Sequence, residues 1–233
     1  MKSFICIVLV LLFAVSVCAA KQEAAPVPSP AWAQTVAELT GARQVVIVAA
    51  REGSDADFSM HEKDADGSWQ VLVSAPALIG RNGLGKTRVG DMKTPQGVYT
   101  LGFAFGINED PGCILPYHQV TEYDYWSGDQ RYHYNEMADI RDFPALDTEA
   151  CEHLIDMEPS YHYCLNIGYN PEGVPDAGAA LFLHCRNPEK EYTAGCVAIP
   201  EEDMLTVMRS IRAGCVIVIE SAEALNAQPR PDL

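Results

Sequence analysis

Hydrophobic residues in this chain fall in short runs separated by turns rich in glycine, proline and aspartate. Residues 44–50 carry Val45, Val46, Ile47 and Val48 in succession, the pattern of a strand covered on both faces. Runs at 58–63 and 69–75 flank Asp64-Ala65-Asp66-Gly67, which predicts a hairpin. Further strands are expected at 97–103, entered through Thr94-Pro95, at 161–169, and at 215–220. Two more runs, Leu181-Phe182-Leu183-His184-Cys185 and Cys196-Val197-Ala198-Ile199, lie either side of a charged loop at 186–192. Residues 201–212 place Met204, Val207, Met208 and Ile211 on one helical face, with Gly214 closing the helix. Residues 147–157 fit a second helix, capped by Asp147 or Thr148 and stopped before Pro159. A short helix is expected at 31–41. The segment 108–142 is rich in Tyr, Trp, Asp and His and has little periodicity, so it reads as a long insertion or lid. Many short strands and few helices predict a mainly β fold, a barrel or sandwich with a few short helices and a long aromatic insertion.

The beginning of the chain reads differently. Met1-Lys2-Ser3, an apolar run at 4–17 and Cys18-Ala19-Ala20 form a secretory signal, residues 1–20, or an N-terminal anchor. The run is shorter than the roughly 20 apolar residues that span a bilayer. A Pro/Ala-rich linker and the short helix follow at 21–42, then one domain at 43–221 and a loose tail at 222–233. This order places the domain outside the cytoplasm, with membrane contact only through an uncleaved or lipidated N-terminus. Of 233 residues, 32 are acidic and 16 are Lys or Arg, a formal charge of −16. Such a surface repels nucleic acid and anionic lipid, so neither is an expected partner. Eight cysteines are present. Without the signal, Cys113, Cys151, Cys164, Cys185, Cys196 and Cys215 remain, which invites a disulfide reading in an exported chain. If Cys196 stays a free thiol, at least one of the other five is unpaired.

Cys196 and His184 are the chemically suggestive pair. A thiol is a poor nucleophile until an imidazole or another base takes its proton. Gly195, just before the cysteine, lets the backbone turn tightly and expose its N–H groups. Both residues are also common in protein interiors. A metal site made of His184, Cys185 and Cys196 with His162 or Cys164 lacks the paired spacing zinc favours, so no metal is expected. A general cysteine protease is another reading of the same pair. Gly80-Arg81-Asn82-Gly83-Leu84-Gly85-Lys86-Thr87 matches the phosphate-loop pattern. That pattern needs a helix starting at the lysine, and Gly90 and Pro95 leave no room for one, so no nucleotide is expected.

Three segments together resemble the YkuD-type L,D-transpeptidases of bacterial cell walls, over about residues 44–220. They are Gly90-Asp91-Met92-Lys93-Thr94-Pro95-Gln96-Gly97, Ala180-Leu181-Phe182-Leu183-His184, and Thr193-Ala194-Gly195-Cys196-Val197. The form Gly-Cys-Val-Ala-Ile-Pro-Glu-Glu-Asp is similar to one branch of that family. The chain departs from the usual pattern at Ala198, where Arg is frequent, at Ala194, where His is frequent, and at Cys185, where Gly is common. The resemblance implies a YkuD-like β-barrel or sandwich and no cofactor. It implies Cys196 as nucleophile, His184 as base, the Cys185 carbonyl orienting the imidazole, and the N–H groups of Gly195 and Cys196 in an oxyanion hole. It implies peptidoglycan stem tetrapeptides as substrate, release of D-alanine, a thioester, and 3–3 crosslinks made with the side-chain amine of a second stem. Water in place of the amine would make the protein a carboxypeptidase, and lost catalysis a wall-binding module. Under this reading the domain is secreted, periplasmic or wall-associated. Tyr123, Tyr125, Trp126, Tyr132 and Tyr134 are expected to pack on the barrel or to cover the thioester. Asp124, Asp129 and Glu136 are expected to form a solvated acidic face or to meet the acceptor amine.

Overall fold

Residues 44–50 form strand β2 (Gln44–Ala50), buried at every position, and alternation explains the unbroken apolar run. Val46 and Val48 point into the main core, whereas Val45, Ile47 and Ala49 point outward beneath helix α1 (Ala31–Thr40). The computed structural model describes residues 26–228. The signal expected at residues 1–20 lies outside the described residues.

A two-residue strand β1 (Val27–Pro28) precedes α1. After β2 come β3 (Asp55–Lys63), β4 (Trp69–Leu78) and β5 (Gly97–Gly106). The insertion holds β6 (Tyr117–Gln119), β7 (Asp124–Trp126) and β8 (Met137–Asp139), and the segment after it holds β9 (Glu152–His153). Then follow β10 (Cys164–Ile167), β11 (Phe182–Cys185), β12 (Val197–Ile199), helix α2 (Glu201–Ser210) and β13 (Val216–Ser221). The main sheet runs β4-β12-β11-β10-β5-β13-β2-β3, and β3 pairs back onto β4, so these strands close a barrel. Pairing is antiparallel except for β11 with β12, β13 with β2, and β6 at the side of β5. Met204, Val207 and Met208 of α2, with Ile211 just beyond it, enter the core as the helical periodicity requires.

With the segment after it, the insertion builds a small sheet, β8-β7-β9, and packs on the outside of the barrel. Trp126 lies against Phe105 and Phe182, with ring centroids 5.9 and 4.7 Å apart. Residues 147–157 are not a helix. Glu152 and His153 pair with Trp126 and Tyr125 of β7, and this ladder leaves only two 3-10 turns, Thr148–Ala150 and Leu154–Asp156. The chain after Ala222 is not loose within the described residues. Ala222 and Leu225 are buried against the outer face of β2, in the cluster that holds α1.

Candidate active site

Strand β11 is buried throughout because both of its faces are covered. Leu183 and Cys185 face the barrel core, and Phe182 faces the insertion. His184 follows on the same outer side as Phe182. The parallel neighbour β12 sets Ala198 level with His184 and Val197 level with Leu183, so Cys196 falls beside Phe182. His184 and Cys196 thus project from one face of adjacent strands, a diagonal step apart. Both line a single cleft of about 390 Å³ with Lys86, Glu152, Tyr161 and Ala198. Each is barely exposed, His184 at 7% and Cys196 at 9%.

The imidazole is held in one orientation. Its Nδ1 lies 2.8 Å from the Cys185 carbonyl oxygen, which can only accept, so Nδ1 carries the proton and Nε2 is left as the basic atom. Burial lowers the His184 pKa to about 4, against the opposing effect of its backbone hydrogen bonds. The Cys196 thiol donates to the Ala180 carbonyl at 3.2 Å, and the Phe182 N–H donates to Sγ at 3.4 Å. Burial, and then the nearby Glu152 carboxylate, push the thiol up to about 12, against the Phe182 amide and Lys86. The resting pair is therefore a neutral thiol and a neutral imidazole, not a preformed ion pair.

The loop around Cys196 explains why the three sequence segments occur together. The Thr193 hydroxyl donates to the Cys196 carbonyl at 2.7 Å and accepts from the Gly195 N–H at 3.1 Å. Gly195 has φ 145°, and a Cβ there would lie 2.7 Å from the Lys93 carbonyl oxygen. The segment 90–97 is thus pressed against the cysteine loop, and only glycine fits the contact. The Gly195 N–H faces the Thr193 hydroxyl, so its expected place in an oxyanion hole is already taken. The Cys196 N–H has no such acceptor among the described residues.

The phosphate-loop motif has a different use. No helix follows Lys86. The N–H groups of Thr87, Arg88 and Lys93 donate to the Asp91 carboxylate at 2.8–3.1 Å, filling the anion seat from within the chain. Lys86 Nζ completes it at 3.0 Å, in an ion pair whose side chains are only 4% and 9% exposed. Burial would raise the Asp91 carboxyl, but these donors together hold it well below the usual carboxylate range.

Other expected residues lie elsewhere. Tyr123, Tyr125, Trp126, Tyr132 and Tyr134 do not line the cleft. Tyr125 stacks on His153, Tyr123 takes the Arg141 guanidinium, and Trp126 and Tyr134 are buried. Asp124, Asp129 and Glu136 also stay outside the cleft, paired with His118, Arg131 and His133. His162 pairs with Glu201, and Cys185 points to the Tyr163 carbonyl. The six cysteines of the described residues are free thiols.

Two residues of the insertion and the segment after it matter though the sequence did not single them out. Asn135 accepts from the Ala180 N–H at 3.0 Å and from Trp126 Nε1 at 3.0 Å, and so braces the carbonyl that receives the thiol. Glu152 enters the cleft from β9, its carboxylate accepting from the Tyr161 hydroxyl at 2.6 Å. The Tyr161 ring meets the His184 ring edge-on at 5.5 Å. Neither residue sits in a recognisable motif, since each gains its meaning from distant partners.

A closed β-barrel that presents a thiol and an imidazole on the same cleft wall defines the class of site. A family model described as YkuD, L,D-transpeptidase catalytic domain, matches residues 62–219, and the chain belongs to that family. A search among curated proteins finds no match.

Proposed function

We propose that this protein is a peptidoglycan L,D-transpeptidase that works through a thioester on Cys196. The family supports the reaction class. The observation that carries the finer reading is the shared cleft of Cys196 and His184, with the Cys185 carbonyl leaving Nε2 as the base. In this reading the thiol proton passes to Nε2 as sulfur bonds to the carbonyl carbon before the terminal D-alanine. The Cys196 N–H stabilises the developing oxyanion, a contribution of roughly 3 kcal/mol for such a donor. The imidazolium returns its proton to the D-alanine amine, which leaves, and the acyl thioester remains. A side-chain amine of a second stem then takes the acyl group and makes a 3–3 crosslink. Because the thiol is neutral at rest, acylation is driven by proton transfer during attack and not by a standing thiolate.

Incubation with a stem tetrapeptide, followed by intact-mass and product analysis, tests this. Release of D-alanine with a Cys196-linked acyl adduct is expected, and Cys196→Ala should abolish both. Full turnover by that variant would show the nucleophile to be elsewhere. Hydrolysed tripeptide as the sole product would make the protein a carboxypeptidase. Binding of wall fragments without turnover would make it a wall-binding module. We also place the domain outside the cytoplasm, on the strength of residues 1–20, and fractionation of the producing cell checks this.

A further inference from the structure

Glu152 is the one carboxylate among the described residues that line the cleft, and the transfer chemistry above gives it no role in the first step. The other acids near the site are committed. Asp91 is saturated by three amides and Lys86. Asp124, Asp129 and Glu136 of the insertion pair with His118, Arg131 and His133, away from the cleft. Glu152 has a single hydrogen-bond donor, the Tyr161 hydroxyl, and no cationic partner among the described residues. A partly buried carboxylate with open acceptor sites strongly favours a cation, because burial weakens its solvation and strengthens any charge pair it forms. Lys86, a lysine of the cleft wall, is held by Asp91 and turned towards the Lys93 carbonyl. Lys190, the other lysine of the cleft wall, is exposed and forms no ion pair with Glu152, which leaves the carboxylate open to a cation from outside the chain.

We propose that the Glu152 carboxylate is the seat of the attacking amine, and that it selects acceptors carrying a primary ammonium group. This rests on the reading of Cys196 as the thioester-forming residue and extends it to the second half of the reaction. Tyr161 fixes the carboxylate from behind and touches the His184 ring with its own, so amine, base and thioester share one wall. The ammonium gives one proton to Glu152 and becomes a free amine. Its nitrogen attacks the thioester carbonyl carbon; the C–N bond forms and the C–S bond breaks. The second amine proton moves through His184 to the departing sulfur, which restores the Cys196 thiol. Glu152 then releases its proton to solvent. Burial holds the Glu152 pKa above the ordinary carboxylate value, which suits a group that must accept a proton from an ammonium. Cys196, His184, Tyr161, Lys86, Lys190 and Tyr192 are the titratable groups that share the cleft with Glu152, whose charge also acts on the buried Cys164.

The test uses the full chain acylated by a stem tetrapeptide, then offered two nucleophiles together. One is Nα-acetyl-lysine amide, a primary ammonium at neutral pH. The other is hydroxylamine, which is uncharged there and needs no carboxylate. The ratio of amide to hydroxamate products reads selection independently of how fast the thioester forms. Glu152→Gln should lower that ratio at least tenfold. Tyr161→Phe, which leaves the carboxylate in place but unfixed, should lower it severalfold and carries the test if the glutamine variant does not fold. Glu136→Gln, in its exposed pair with His133, should not move it. An unchanged ratio in variants that still form the thioester overturns the role of Glu152 and leaves Cys196 standing. Absence of any thioester in the unaltered protein overturns both.

Discussion

At the scale of single residues, the site is defined by where protons sit. A thiol pushed up to about 12 and an imidazole lowered to about 4 stay neutral together across the physiological range. Alkylation of the free protein by iodoacetamide at Cys196 should accordingly be slow at pH 7 and still rising above pH 9. A plateau below pH 8 would reveal a standing thiolate instead. His184→Ala should lower acylation by two or more orders of magnitude, the usual worth of a general base, as measured by the rate of adduct formation. Thr193→Val removes the hydroxyl that ties the Gly195 N–H to the Cys196 carbonyl. It should reduce acylation at least tenfold with little change in thermal stability, as read by parallel rate and melting measurements. Cys196 and His184, which the structure brings to one cleft, were legible as a candidate pair because short local segments carry them, and the Cys185 carbonyl entered through the family resemblance. Glu152 was not, because its position depends on Trp126, its partner across a ladder that joins distant parts of the chain.

At the scale of elements, local pattern succeeded wherever one or both faces of a segment were simply buried. The β2 run and the Met204–Val207–Met208 stripe of α2 became what their periodicity predicts. The pattern failed at 147–157, where helical propensity met a competing strand partner and tertiary pairing won. It failed again for the aromatics of the insertion, whose spacing cannot tell a ring aimed at a cleft from one aimed at a barrel wall. Trp126 is aimed at the barrel wall, where Phe182 of β11 makes edge-on contacts with Phe105, Trp126 and Tyr161 at 5.1, 4.7 and 5.4 Å. Truncation to alanine should cost about 3–5 kcal/mol in denaturant unfolding, the range for a large buried aromatic. It should also depress acylation, because the lost ring lets the strand shift and moves the Phe182 N–H, which the variant keeps, away from the Cys196 sulfur. Stability loss without any kinetic effect would separate the two roles.

At the scale of the whole molecule, the barrel is buried well enough to keep imidazoles uncharged. His61 is 1% exposed between the hydroxyls of Ser29 and Ser59, and burial lowers it from 6.5 to about 4. The unfolded chain takes up that proton at higher pH than the folded one, so acid favours unfolding. Stability should be full above pH 6.5 and fall as the pH drops towards 4, by about 3 kcal/mol from His61, at about 1.4 kcal/mol per pKa unit. Melting temperatures across that range, with His61→Gln flattening the slope, check this. The seam between β3 and β4 has a separate consequence for where the protein can be cut. The family match begins at residue 62, after all of β2 and most of β3. A fragment trimmed to 62–219 would lack two staves of the ring and leave β4 and β13 with bare hydrogen-bonding edges. Such a fragment should aggregate on purification, whereas one spanning 26–228 should elute as a folded species: homology and foldability have different borders in this chain.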